Sequence, residues 1–409
     1  MEQPPINHQR SNNKPTMKKT AILTAILMLT TAVSAQNDTA AKKFRFDFHG
    51  FVNPHFYADS REVVGGREDM MLFYPKPVNL DANGNDLNEG WQANMMTITT
   101  RLNLRVTGPD VLGAHTEAYI EGDFTGSTNA SNNDLRLRHA YISLDWERRG
   151  ALLAGQYWYA MVIPEIMPMT NPLNMGSPFH CYARYNQVRY RLPIGPFEVA
   201  ATAMWQLDNA SQGLLNGTQS TSTLYARHSL MPELNLRLLY AKPHLLLGGA
   251  ANLKTIQPIV PDAERRLHSS LSYTFFGKAR VGQLDIKAQT LLNNSLYEGC
   301  SLGGYLMLAD TTFSDWHFNT VWLDLSRNKG HWRPGLFLGF AKNLDYGNTD
   351  YAYCFGRGHD IEYLWRVQPR LTYTTLKGLF FTAEAEYTRA GYATPTSNLR
   401  LSLTMQYDF

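Results

Sequence analysis

Few side chains in this sequence have the types and spacing that catalysis needs. His55 stands four residues before Asp59, and His359 directly precedes Asp360 and lies near Glu362. A histidine beside a carboxylate can exchange protons with a substrate. Both pairs fall at predicted strand ends, where polar side chains commonly face water, so they are weak evidence for an active site.

Signatures of other chemistry are missing from the sequence. It contains no phosphate-binding loop, nucleophile elbow or His-flanked metal motif. Its three cysteines, Cys181, Cys300 and Cys354, have unrelated spacings, and three free thiols are favoured over a bridge between Cys300 and Cys354. We therefore predict that the protein is not an enzyme and uses no cofactor and no metal ion.

The remaining polar residues occupy strands of alternating character. From Asn398 to Phe409, apolar residues take every odd position and polar residues every even one. This is the period of a β-strand with one apolar face. Because the pattern runs to an aromatic last residue, it is typical of the closing strand of a membrane barrel.

The start of the chain is typical of an exported protein. Met17 and two lysines precede an apolar run at 21–29 and a small-residue site at 33–35, as in a signal peptide. The run is shorter than the roughly 20 residues of a membrane-spanning helix. The predicted organisation is a signal peptide at 1–35, with 1–16 as an upstream extension, a short periplasmic leader at 36–43, and a barrel at 44–409.

Charge and composition limit the classes of partner. The formal net charge is +3, but residues 1–35 hold four basic residues and one acidic residue, so the remainder is neutral with 34 of each. The sequence therefore predicts no nucleic-acid partner. A hydrophobic content of 44% suits strands that are half polar better than helical membrane spans.

Turn lengths check the strand count, because outer-membrane barrels alternate short periplasmic turns with longer outer loops. The segments predict an all-β, antiparallel, up-and-down transmembrane β-barrel of sixteen strands, with eighteen as the alternative. The predicted strands are 44–59, 92–107, 114–125, 134–146, 151–160, 182–192, 197–207, 224–241, 244–255, 267–276, 283–292, 316–325, 332–341, 360–374, 379–388 and 398–409. Residues 293–314 are assigned to a loop, because one extra strand would break the alternation.

Alternation also separates a lipid-facing side from an inward side on each strand. A lysine or arginine facing lipid at the membrane centre would cost about 2 to 4 kcal/mol, so charged side chains should point inward, into the water-filled channel that a barrel of ~16 strands encloses. The predicted pore-lining residues are Arg101, Arg105, Glu117, Glu121, Asp123, Arg189, Arg191, Arg237, Glu362, Arg366, Arg370, Glu384, Glu386 and Arg400. The arginines either form a path for anions or, as is favoured, pair with acidic residues across strands.

The third outer loop, 161–181, is too apolar for a solvated loop tip. It either folds inward and narrows the pore, or packs on the rim or against a neighbouring barrel. If it folds inward, the candidate charges of the constriction are Glu165, His180 and Arg184.

Two stretches, once placed on strands, resemble a known family. They are AYIEGDF at 118–124 and LRLRHAYI at 135–142, which continues to LLAGQYW at 152–158. They resemble the DcaP-like trimeric outer-membrane porins, and FHGFV at 48–52 is similar to that family's first strand. The short leader departs from the helical segment that precedes many of these barrels. The tripeptide DTA at 38–40 resembles a glycosylation signal of Bacteroidetes secreted proteins and suggests a Bacteroidetes-type member.

The resemblance implies a sixteen-stranded trimer that passes small, often anionic, solutes, commonly dicarboxylates. It also implies that the barrel assembly machinery reads Phe409 as an assembly signal. We predict an outer-membrane porin for passive diffusion of small hydrophilic solutes, anions among them. Alternatives are a non-conducting structural or adhesin barrel and, least favoured, an outer-membrane hydrolase. Expected partners are outer-membrane lipid, the solutes, the assembly machinery and further copies of the chain in a homotrimer.

Overall fold

A closed antiparallel β-barrel forms most of the described chain. The computed structural model describes residues 44–171 and 175–409, so the predicted signal peptide and leader lie outside the described residues. The strands, in chain order, are β1 Arg45–Val52, β2 His55–Arg61, β3 Val63–Gly66, β4 Met71–Pro75, β5 Glu89–Met96, β6 Arg101–Thr107, β7 His115–Asp123, β8 Arg136–Asp145, β9 Ala151–Trp158, β10 Arg184–Ile194, β11 Phe197–Trp205, β12 Gln212–Leu215, β13 Thr218–Thr221, β14 Glu233–Lys242, β15 Leu245–Ile256, β16 Ile259–Val260, β17 His268–Val281, β18 Leu284–Asn294, β19 Gly303–Met307, β20 Phe313–Trp316, β21 Phe318–Arg327, β22 Trp332–Asn343, β23 Tyr353–Arg357, β24 Tyr363–Thr374, β25 Leu379–Ala390 and β26 Thr396–Asp408.

Helical structure is slight in the same residues. An α-helix, α1, spans Leu224–Ser229, and short 3-10 turns lie at Asn129–Ser131, Glu147–Arg149, Pro164–Ile166 and Tyr297–Gly299. Over 44–171 and 175–409, none of the helices has the length and apolar character needed to cross a membrane.

The barrel sheet has eighteen segments but sixteen strands, because two strands are each broken once. Residues 53–54 separate β1 from β2, and residues 97–100 separate β5 from β6. On one side β1 and β2 both pair with β26, and on the other they pair with β6 and β5 respectively. The predicted sixteen-stranded barrel is confirmed, and the alternative of eighteen counts the broken strands twice.

Proline causes the first break. Pro54 has no backbone N–H, so the hydrogen-bond ladder cannot continue through it. The buried side chain of Asn53 fills the gap: its amide donates to Gln406 Oε1 at 2.9 Å, and its carbonyl oxygen accepts from Thr99 Oγ1 at 3.0 Å. The break is therefore closed by internal hydrogen bonds, as buried polar groups require.

The strand faces follow the alternation of the sequence. On β26, the side chains of Leu401, Leu403 and Met405 are exposed on the outer surface, and those of Arg400 and Ser402 are buried inside. An apolar outer surface around a polar interior is the architecture of an outer-membrane β-barrel.

Two predicted segments differ in detail from the structure. Residues 224–241 do not form one strand: α1 occupies the first part, where Ser222 Oγ accepts a hydrogen bond from the Leu224 N–H at 3.2 Å and Tyr225 is buried. Residues 293–314 leave the barrel largely as predicted, from residue 295 onward, but they are not irregular. They contain β19, which pairs with β20 and β23 in a separate three-stranded sheet.

Loop segments enter the barrel. The hairpin β3–β4, the loop after β9 and the loop after β18 contribute buried side chains, among them Phe73, Met161, Phe179 and Leu302, to one core with inward-facing residues of the wall. The interior is therefore narrower than the strand number alone suggests.

Candidate functional site

The loop between β9 and β10 folds into the barrel, which is one of the two positions considered for it. His180 lies 2.6 Å from Gln289 Oε1 through its Nδ1. The backbone N–H of Asn171 donates to both carboxylate oxygens of Glu384, at 3.2 and 3.1 Å. The described part of this loop thus reaches wall residues on β18 and β25, across the interior from the strands that it joins.

Arginines on β24 and β26 hold these inserted segments. Arg366 donates to the Ser177 carbonyl at 2.7 Å and lies 3.0 Å from Glu386. Arg400 pairs with Asp59 at 2.7 Å and also donates to backbone carbonyls of the β3–β4 turn. Because their charges and N–H groups are engaged by the protein, these predicted pore-lining arginines are structural ties.

The same wall holds a third buried ion pair. Arg370 lies 2.9 Å from Asp324, with both side chains almost completely buried. Glu384 accepts a hydrogen bond from Gln368 at 2.8 Å. This side of the interior is therefore close to neutral.

A different arrangement occupies β6–β10. Arg138 donates to Glu121 Oε1 at 2.6 Å and to Asp123 Oδ2 at 2.7 Å. Arg136 binds the same Asp123 at 3.0 Å, and Arg101 lies 3.6 Å from Glu121. Three guanidinium groups thus share two carboxylates.

Two more arginines increase the imbalance. Arg184 donates to the Tyr182 hydroxyl at 3.3 Å and lies over the Trp158 ring, and no carboxylate of the described residues is within ion-pair distance of it. Arg67, on the β3–β4 turn, is in electrostatic range of Arg136 and Tyr182. We call Arg67, Arg101, Arg136, Arg138 and Arg184 the cationic cluster.

Several donors of the cationic cluster have no protein acceptor. Within residues 44–171 and 175–409, Arg67 Nε, Arg101 Nε and Arg138 Nη2 are buried and make no hydrogen bond. A buried charged donor without a partner is costly. These three buried donors therefore leave the cluster with unfilled hydrogen-bonding capacity.

A cavity of about 400 Å³ adjoins the cluster toward the end of the barrel that carries the short turns. Arg101 and Tyr182 contribute to its lining, together with Asn171 of the inserted loop and inward-facing residues such as Thr99 and Thr404. Arg101 and Tyr182 thus connect the cavity with the cationic cluster.

The other predicted site residues are scattered. Arg105 pairs with Glu117 at 3.4 Å and Arg191 with Glu198 at 3.3 Å, both near the short-turn ends. Arg189 is buried and donates to the Trp158 carbonyl at 3.0 Å.

The predicted constriction charges do not form one group. Glu165 and Glu198 lie 3.6 and 2.8 Å from the buried Arg237. His180 is completely buried, with its ring edge-on to Trp322, so it does not face an opening. Of the three candidates, only Arg184 belongs to the cationic cluster.

Glu362 also departs from its predicted place. It precedes β24 at the outer rim, and its half-exposed carboxylate lies 2.6 Å from Lys342 Nζ. The structure does not bring it to the other predicted wall residues.

Sequence reasoning missed Arg67, Arg136, Arg138 and Tyr182 as members of this site. A register shift between β7 and β8 at Glu121 buries Arg138 together with its chain neighbour, which strict alternation does not predict. The paired arginines of LRLRHAYI were a signal, because residues two apart share one strand face.

No arrangement for acid–base catalysis is found at the predicted pairs. Both ring nitrogens of His55 are buried without partners, and His359 packs edge-on against Trp316. A Ser–His–Asp group does occur at Ser270, His268 and Asp315, but both Ser270 and Asp315 approach the same His268 nitrogen, Nε2. A catalytic triad uses opposite ring nitrogens.

Cysteines and potential metal ligands among the described residues form neither a disulfide nor a metal site. All three cysteines are free thiols, so the alternative of a Cys300–Cys354 bridge is wrong. Over the described ranges, no group of three or more His, Cys, Asp or Glu side chains is placed to hold a metal ion.

Comparisons with known proteins agree on the fold. No protein-family model matches the chain, and no curated protein matches it. Among solved structures, the outer membrane channel DcaP of Acinetobacter baumannii is similar with a TM-score of 0.68 at 17% identity, covering 92% of this chain and 100% of that one. An anion-selective porin from Comamonas acidovorans gives 0.56 at 12%, covering 90% and 100%, and the trimer form of OmpT, an outer membrane protein of Vibrio cholerae, gives 0.54 at 9%, covering 90% and 100%. This chain therefore has the fold of an outer-membrane porin barrel, as expected from its resemblance to DcaP-like proteins, while the Bacteroidetes-type assignment stays a prediction.

Proposed function

We propose that the protein is a passive outer-membrane channel for small hydrophilic solutes and that it favours anions. The observation that carries the proposal is the cationic cluster, in which three guanidinium groups share two carboxylates and two more, those of Arg67 and Arg184, form no ion pair with a carboxylate of the described residues. Electrostatic interactions are strong in a poorly hydrated interior. A passing anion would therefore be stabilised at Arg101 and Arg184, and a cation would be repelled.

The distribution of charge supports the same direction. Arg366 and Arg370 on β24 and Arg400 on β26 are each neutralised by a carboxylate within 3.0 Å. The unbalanced positive charge is therefore concentrated at the cationic cluster. Rows of side-chain charge of this kind set ion selectivity in pores.

We further propose that the chain forms a homotrimer and is inserted by the barrel assembly machinery. The trimer form of OmpT shares the fold, and the terminal strand ends on an exposed aromatic residue, Phe409.

A non-conducting barrel is the second candidate. It is favoured by the dense packing of loop residues such as Met161 and Phe179, which are completely buried in the interior. An enzyme is not proposed.

Liposome swelling separates these functions. Gluconate, glucose and glucosamine are similar in size and differ in charge, so we expect purified protein to admit gluconate fastest and glucosamine slowest. Arg101→Glu with Arg105→Glu should reverse this order, whereas Arg148→Glu with Arg149→Glu, in an exposed turn, should preserve it. Heat-modifiable mobility in electrophoresis verifies folding of each variant. No swelling with any solute would refute the channel and support the closed barrel.

A further inference from the structure

A cleft at the outer mouth of the barrel holds cations without carboxylate partners. It has a volume of about 400 Å³ and is lined by α1 and the loop after β16, with Arg227, His228 and Arg265 among its residues. Asp262, which also lines the cleft, and Glu264 both bind Arg266, at 3.0 and 3.5 Å. With Arg227 and Arg265, three guanidinium groups stand against two carboxylates, so the cleft keeps one net positive charge. Arg227 and Arg265 are exposed, and no ion pair joins either of them to a carboxylate of the described residues.

A buried acceptor also lines this cleft. Gln257 is 2% exposed, and its amide nitrogen donates to the Ile259 carbonyl at 3.0 Å. Its Oε1 atom is buried and has no donor among residues 44–171 and 175–409. Buried polar atoms are normally satisfied, so this oxygen calls for a ligand that carries a hydroxyl or N–H group.

An apolar groove lies on the lipid-facing surface at β10–β17. It encloses about 520 Å³, and its residues include the small Ala201, Ala203 and Ala251 together with Leu234 and Leu271. Alanines between longer side chains leave room for a linear hydrocarbon chain.

The segment from α1 to β14 contributes residues to both the cleft and the groove. Leu230 lines the cleft and is 76% exposed, and Leu234 lines the groove four residues later. Met231, between them, is also exposed. Because long loops mark the outer side of such barrels, the cationic cleft lies on the outer side of the barrel, next to an apolar groove of its lipid-facing surface.

We propose that this surface binds a phosphorylated lipid of the outer leaflet. Arg227 and Arg265 hold the phosphate, since guanidinium groups match phosphate oxygens in charge and geometry. A hydroxyl or amide N–H of the headgroup donates to Gln257 Oε1, and an acyl chain occupies the groove. The proposal rests on the outer-membrane location and not on channel activity.

Native mass spectrometry of the full-length protein in detergent tests this site, with bisphosphorylated lipid A as the probe. We expect Arg227→Gln with Arg265→Gln to weaken lipid A binding at least tenfold. Lys76→Gln with Lys342→Gln removes the same charge from two exposed ion pairs elsewhere on the outer side and should change binding less than twofold. We call the double variant of Arg227 and Arg265 the cleft variant. Its weakened binding of lipid A should equal the binding of dephosphorylated lipid A by the wild-type protein.

The outcomes that would contradict the proposed binding site for a lipid phosphate are as follows. Equal binding by wild type and cleft variant, or an equal loss in both double variants, would contradict it. Full competition by inorganic phosphate at the lipid concentration would indicate a free-phosphate site instead. Single-channel conductance of the cleft variant should equal that of the wild type, so this result is distinguishable from failure of the channel function.

Discussion

The guanidinium carbon of Arg184 lies 3.9 Å from the centroid of the Trp158 ring. A desolvated cation–π contact of this kind contributes about 2 kcal/mol. The ring therefore helps to hold a charge that no carboxylate of the described residues neutralises. Arg184 therefore differs from Arg366, Arg370 and Arg400, each of which has a carboxylate within 3.0 Å.

The inserted loop is tied to the wall by Asn171, which binds Glu384 through its backbone N–H and donates to Ser402 Oγ at 2.9 Å. Glu384→Ala with Ser402→Ala removes both acceptors, so we expect a more mobile loop and a larger single-channel conductance. Glu89→Ala, an exposed change outside the interior, is the control. Unchanged conductance in the double variant would show that this tie does not restrict the channel.

Asp324 is expected to matter more for folding than for conduction. It is fully buried and neutralises Arg370 at 2.9 Å, so Asp324→Asn leaves a buried unpaired charge and should lower the free energy of unfolding by about 3 to 5 kcal/mol. The exposed pair of Glu62 with Lys76 is the comparison, and Glu62→Gln should cost about 0 to 1 kcal/mol. Urea unfolding in lipid vesicles measures both changes; equal losses would contradict the assignment.

A pH effect is expected in the sheet β19–β20–β23. A hydrogen bond that His317 donates to Asp315 raises the pKa of His317 above its ordinary 6.5. Burial alone would raise the pKa of Asp315, but hydrogen bonds from His268 and His317 outweigh it and lower that pKa below its ordinary 3.8.

These two shifts define the window of greatest stability. A raised histidine pKa stabilises the fold below pH 6.5, and this contribution is lost as pH rises through the folded pKa; a lowered carboxyl pKa stabilises above 3.8 and is lost as pH falls. We expect the sheet β19–β20–β23 to resist limited proteolysis better at about pH 5 than at about pH 8. His317→Gln should remove this difference, and equal protection of the wild type at both values would argue against the link.

Phe409 closes the barrel against Gly50. The two residues exchange backbone hydrogen bonds of 3.0 Å, and a Cβ on Gly50 would meet the Phe409 ring at 2.9 Å. We predict that deletion of Phe409 lowers surface levels more than it lowers conductance per inserted channel. Phe44→Ala removes an exposed aromatic residue at the same, short-turn end of the barrel and is the matched control. Normal surface levels after deletion would make Phe409 an ordinary interfacial aromatic residue.

The strand count followed from the sequence because alternation is a local property that each strand displays. The position of Arg138 could not be predicted in this way, because the bulge between β7 and β8 depends on the partner strand. The same limit applies to the charge pairs. Nothing local in the sequence distinguishes Arg370, which meets Asp324 from another strand, from Arg184, which meets an aromatic ring.

The positions of the loops could be predicted from the sequence only in part. The apolar character of 161–181 indicated burial, but the choice between the interior and a rim depended on acceptors such as Glu384 and Gln289, which lie far away in the sequence. Residues 224–229 were assigned to a strand because they adjoin an alternating segment, and their helix depends on burial of Tyr225.

Reversal potentials in planar bilayers test the central claim most directly. In a KCl gradient, the wild-type protein should carry current with a reversal potential on the anion-selective side, and Arg184→Gln should shift that potential toward the cation-selective side. Arg148→Gln, in an exposed turn, should leave it in place. Absence of current, or a cation-selective wild type, would contradict the proposed anion channel.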